Sequence, residues 1–197
     1  MKIRNVISVF VFILISINPL LAQNKGEAMK LQKVVWFGID FTNARFTLVE
    51  EAPEMIVNQY LKAINSLIIQ EPEKFNIKKY FSKSEVTNSI DIALESNSKI
   101  DPSKLVINDG YKLAPEDIGG IIKKYRNDEN SGLGLVFIAE NLNKTTQTGS
   151  YYVCFFDIAT KEIIDSKRME GKAAGFGFRN YWAGSVYNIM KAWNSNK

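Results

Sequence analysis

The run YYVCFFD, residues 151–157, is apolar on both of its alternating sets, Tyr151, Val153 and Phe155 against Tyr152, Cys154 and Phe156. Successive side chains of a strand point to opposite faces, so a strand of this kind belongs in the middle of a sheet covered on both sides. Its neighbours support that reading. GLGLVFIAENL, residues 132–142, reads as a second buried strand, and EIIDSKRMEGKA, residues 162–173, continues after Ala159-Thr160-Lys161 as the other half of an antiparallel hairpin.

Earlier in the chain, KVVWFGIDF at 33–41 is β-branched and aromatic and reads as a buried strand. ARFTLVE at 44–50 is either a second strand or an extended lead into a helix. Pro53 opens that helix with Glu54 in its first turn, as the helix dipole prefers. Ile56, Tyr60, Ile64 and Leu67 then recur at helical spacing, and Pro72 stands beyond the end. Val86, Ile90 and Leu94 predict a helix over 84–96, and KLVIND at 104–109 predicts a short strand. A further helix begins after Ala114, weakened by Gly119-Gly120 at about 1 kcal/mol for each glycine. The last helix starts near Phe178 with the stripe Phe178, Trp182, Val186, Ile189 and Trp193. The expected fold is a single α/β (α+β) domain over residues 33–197. Its sheet is expected to be mixed and mostly antiparallel, with helices packed on it and a carboxy-terminal hairpin followed by a long helix.

Residues 1–22 place Lys2 and Arg4 before an apolar stretch from Val6 to Ile17, then Asn18-Pro19 and Leu20-Leu21-Ala22. That order predicts a secretory signal peptide removed near Ala22-Gln23. The apolar stretch is shorter than the roughly 20 residues that span a bilayer; the alternative is an uncleaved anchor. Gln23 is not the cysteine a lipoprotein needs, so the expected product is soluble and periplasmic or extracellular, with residues 23–32 as a flexible leader. Without Lys2 and Arg4 the charge is 23 basic against 21 acidic residues, which argues against a nucleic-acid partner. A single cysteine, Cys154, allows no internal disulfide, and its apolar neighbours make it a buried thiol.

The chain contains no histidine. This removes the commonest general base, the commonest zinc ligand and every Ser-His or Cys-His pair. No catalytic residue, metal ligand or cofactor is therefore expected. GKAAGFGF, residues 171–178, lacks the spacing of a dinucleotide fingerprint and has no acidic residue about 20 positions later. The candidate binding residues are four. Arg179 stands at the start of the last helix, where it could meet an anion or pair with Asp40 at the end of the first strand. Tyr181 and Tyr187 lie off the packed stripe and suit an interface. Ala183-Gly184 lets another backbone come close.

The order VFIAENL, then YYVCFFDIATKEIIDSKRMEGKA, then a long helix resembles the carboxy-terminal part of a group of small periplasmic α/β domains. These are the TolB amino-terminal domain, the curli-secretion lipoproteins and the lipoprotein activators of penicillin-binding proteins. Asp157, Thr160 and Ile163 match their hairpin turn, and Gly171 stands where the second strand gives way. The resemblance covers about a third of the mature chain. It implies a non-enzymatic envelope accessory domain that binds an envelope protein or a second copy of itself. The alternative is a small-ligand-binding module or a carboxylate-dependent hydrolase.

Overall fold

The computed structural model describes residues 26–195. The predicted signal peptide and residues 23–25 lie outside the described residues. Residues 26–30 are helical, and Lys83 Nζ donates to the Met29 and Leu31 carbonyls at 2.6 and 2.8 Å.

Among the described residues seven strands form one sheet: β1 Lys33–Asp40, β2 Arg45–Thr47, β3 Glu85–Asn88, β4 Val106–Ile107, β5 Leu133–Asn143, β6 Thr148–Asp157 and β7 Ile163–Lys172. β5 is the spine. Its first half pairs with β1, from Val35 opposite Gly134 to Asp40 opposite Ile138, and its last residues pair with β2, from Arg45 opposite Asn141 to Thr47 opposite Asn143. β3 adds to β1 and β4 to β2. All four of these pairings are parallel; β5 with β6 and β6 with β7 are antiparallel.

Four of six pairings being parallel corrects the expected mostly antiparallel sheet. A hairpin is marked locally by its turn, whereas a parallel pair needs a long crossover and leaves no local mark. The predicted helix over 84–96 conceals one such strand. Val86 and Thr87 pair with Val34 and Val35 in β3, and the helix keeps only Asp91–Asn97.

Besides residues 26–30 and short 3-10 turns, the helices among the described residues are α1 (53–70), α2 Ile77–Phe81, α3 Asp91–Asn97, α4 Ile118–Ile122 and α5 Gly177–Ser195. α1 runs continuously through Pro53–Met55, a π-helical Ile56–Tyr60 and Leu61–Gln70. α1, α2 and α5 cover one face, packing on Trp36, Phe46, Phe137, Tyr151, Val153 and Phe155. α4 and the segment before it cover the other, over Val35, Phe37, Val136, Tyr152, Cys154 and Phe156. The two sets of YYVCFFD thus enter two separate cores, each large side chain contributing about 2 kcal/mol of apolar burial.

Local chemistry sets the joints. Asp157 Oδ1 accepts from the Thr160 N–H at 2.7 Å and from Thr160 Oγ1 at 3.0 Å, closing the β6–β7 turn. At the end of β1, Gly38 takes φ +85° and the pairing with β5 shifts register. Two buried carboxamides satisfy the backbone there. Asn65 Oδ1 accepts from the Ile39 N–H at 2.7 Å, and Asn97 Oδ1 accepts from the Phe41 N–H at 2.7 Å. α5 lies so close to β7 that a Cβ on Gly171 would overlap the Ser185 carbonyl, and one on Gly184 the Ala174 carbonyl. The close approach permitted by Ala183-Gly184 is therefore to this chain's own hairpin.

Candidate functional site

β1 lies between β3 and β5 and runs parallel to both. In open parallel sheets ligand crevices lie outside the carboxyl ends of the strands. Here that crevice encloses about 740 Å³, between the β1–β2 connection, the end of α3 and α4. Asp40 ends β1 beside it, wholly buried. Its Oδ1 accepts from the Thr42 N–H at 2.9 Å and from Thr42 Oγ1 at 2.5 Å. Its Oδ2 accepts from Tyr125 Oη at 2.6 Å and faces Lys124 Nζ at 2.7 Å. Burial, and then the charge of Asp40, push the Tyr125 phenol well above its ordinary pKa, so it remains a donor. Lys99 and Lys104 also line the crevice, and they pair with Glu95 and Asp101.

A second polar cavity, of about 550 Å³, lies on the same face at the carboxyl end of β5. It begins at a bulge, where Ala139 and Asn141 are opposite Tyr151 and Ser150 and Glu140 is the extra residue. Glu140 is buried, and its Oε1 accepts from the Leu113 N–H at 3.0 Å. Oε2 takes Arg168 Nε at 2.8 Å and lies 2.6 Å from Nη2, a two-pronged contact across β6. Arg168 Nη1 continues to Glu170 Oε1 at 2.9 Å. The hydrogen bond to Glu140 holds the guanidinium even more firmly protonated than usual. Gly110, Tyr111 and Lys112 form the wall opposite the strands, with the Arg45 guanidinium 5.0 Å from the Tyr111 ring centroid.

The four residues expected from the sequence do not converge. Asp40 belongs to the crevice, but its partners are Lys124, Tyr125 and Thr42 and not Arg179. Arg179 is exposed on α5, which packs on the opposite face of the sheet, and its Nε donates to Asn180 Oδ1 at 3.2 Å. Tyr181 is half-buried, edge-on to Trp182 and with Lys144 Nζ 4.1 Å from its ring centroid. Tyr187 is half-buried between the edges of Phe75 and Tyr80. Trp182 and Trp193 are in the core. Cys154 is buried as expected, and burial pushes its thiol up to about 12.

Glu140, Arg168, Asn141 and Phe176 carry no motif. The signal for the first is a carboxylate directly after the apolar run Leu133–Ala139 of one strand, since a buried charge needs a partner. Phe176, at the entrance to α5, is 95% exposed. Its neighbours Gly175 and Gly177 have φ of 131° and 75°, and Leu48, with φ 53°, is 49% exposed. Val49, Glu51, Lys144 and Tyr181 share a small hollow with the two glycines.

No protein-family model and no curated protein matches the chain. Among solved structures, the LpoB C-terminal domain from Salmonella enterica is similar with a TM-score of 0.33 and 12% identity, over 78% of this chain and 93% of that one. No residue role follows from so distant a likeness.

Proposed function

We propose that the protein is an exported, non-enzymatic domain of the cell envelope that acts by binding another protein. The leader sequence supports export. The observation that carries the binding reading is Phe176, an aromatic left almost wholly in water between two glycines of positive φ. Single exposed apolar residues are ordinary, but the two glycines that flank this one share a hollow with Val49, Glu51 and half-buried Tyr181, and Leu48 beside Val49 is exposed. An aromatic with water on all sides is the kind of anchor that interfaces bury. The buried carboxylates support a non-enzymatic role, because Asp40 and Glu140 are each held by a cation and by further donors. The partner is an envelope protein or a second copy of the chain.

The test is photo-crosslinking from a probe placed at position 176 in the envelope fraction. A matched Phe176→Ser variant and a Tyr181→Ala, Tyr187→Ala variant are read beside it by affinity capture. A discrete adduct, lost from the capture with Phe176→Ser, is the expected result. An unchanged capture list from Phe176→Ser would overturn the surface, and loss only from the tyrosine variant would move it along α5.

A further inference from the structure

The cavity under Tyr111 shares no residue with the Phe176 surface. We propose that it binds a neutral polyhydroxylated ligand, a short stretch of saccharide. Over most of its area this face of the sheet is apolar, with Val136, Ile138, Tyr152, Cys154 and Phe156. At its carboxyl end it becomes polar on three adjacent strands together. Asn141 and Asn143 of β5, Thr148 and Ser150 of β6, and Arg168 and Glu170 of β7 all line the cavity. The bulge makes this change, because an extra residue lets Glu140 and Asn141 serve the same face while Ala139 and Leu142 enter the opposite core.

Asn141 is the sharpest indicator. Its residue is only 8% exposed, and Thr47 Oγ1 engages one end of its carboxamide at 2.8 Å. The other end, Nδ2, has no protein partner among the described residues and stays open to solvent in a residue that lines the cavity. A ligand that displaces water from this nitrogen must supply an acceptor in its place, which a sugar hydroxyl does. Asn143 repeats the pattern at the rim, its Oδ1 taken by the Thr145 and Thr146 N–H groups and its Nδ2 left over.

The chemistry of the lining selects the ligand. A sugar hydroxyl is both donor and acceptor, and carboxamides and hydroxyls answer it with both roles. Lys112 and Arg168 are balanced by Glu170 and the buried Glu140, so the cavity has no preference for a charged guest. In the neighbouring crevice the lining is cationic and its lysines are already paired. Tyr111 supplies an aromatic wall held in place by Arg45. The 550 Å³ enclosed lies within the roughly 300–1,000 Å³ of small-molecule sites.

The experiment is saturation-transfer NMR and calorimetry on the purified protein with two neutral probes, the N-acetylglucosamine trisaccharide and maltotriose. Tri-alanine and inorganic phosphate serve as comparators. At least one trisaccharide is expected to bind and both comparators to fail. Thr148→Arg, which drives a long side chain into the cavity, is expected to abolish binding while the thermal midpoint stays unchanged. If that variant lowers the midpoint, Ser150→Ala replaces it and should weaken binding about threefold. Failure of both trisaccharides, binding that survives these variants unchanged, or tighter binding of tri-alanine would each overturn the proposal.

Discussion

Lys124 Nζ sits 2.7 Å from Asp40 Oδ2, yet the carboxylate is fully buried while the lysine side chain is 29% exposed. Removing the two partners is therefore not equivalent. Lys124→Met strands a buried anion and should cost about 3 kcal/mol. Asp40→Asn leaves a lysine that can turn to water, and should cost about 1–2 kcal/mol. Urea denaturation of both variants and of the double variant measures the asymmetry; a larger loss for Asp40→Asn would contradict it.

Arg179→Ala should leave stability within about 0.5 kcal/mol of wild type, because the exposed guanidinium's hydrogen bond is to the adjacent, half-buried Asn180. Thermal melts decide this. A pronounced fall would mean that Arg179 has a buried partner after all.

Gly184→Ala should destabilise by about 2 kcal/mol even though alanine favours a helix, since its methyl meets the Ala174 backbone. Gly119→Ala, where a Cβ meets nothing, is the control and should be neutral or stabilising. Equal midpoints in urea for the two variants would argue against close packing of α5 on the hairpin.

Cys154 should resist a thiol reagent at neutral pH and react at once when the chain is unfolded. Its thiol is buried and pushed up to about 12, and the thiolate is the reactive form. Labelling with and without denaturant, followed by mass spectrometry, tests this; rapid native labelling would show that the core opens there.

Burial raises the Tyr125 and Tyr151 phenols above their ordinary 10.0. The unfolded chain releases these protons near pH ~10 while the folded chain keeps them, so stability is fully present below that pH and falls as pH rises through it. Tyr151→Phe removes one such group and should flatten the alkaline fall of the thermal midpoint. Identical alkaline slopes for the two proteins would rule this out.

Much of the architecture was legible because it is local. The both-sided apolar pattern of residues 151–157, the stripe of α5 and the Asp157–Thr160 turn each show themselves within a few residues. The parallel pairings do not. β3 is four residues long, and Val86 happens to fall at helical spacing from Ile90 and Leu94, so its affiliation with β1 is visible only in three dimensions. The sites divide in the same way. Asp40 was recognisable as a polar strand end, but two of its partners, Lys124 and Tyr125, lie on α4's exit, 84 and 85 positions later in the chain. Glu140 and Arg168 are joined across an intervening strand, and nothing in either segment alone announces the other.

The placement of β1 and β2 end to end on one edge of β5 also bears on timing. Both strands are complete by Thr47, but the edge they dock on is not synthesised until residues 133–143. Until then they have only the short β3 and β4 for company. Nucleation must wait for a distant segment, and such non-local closure slows folding. A nascent chain interrupted before Leu133 should expose unpaired apolar strand edges and aggregate. The same late arrival would keep the chain open for most of its synthesis.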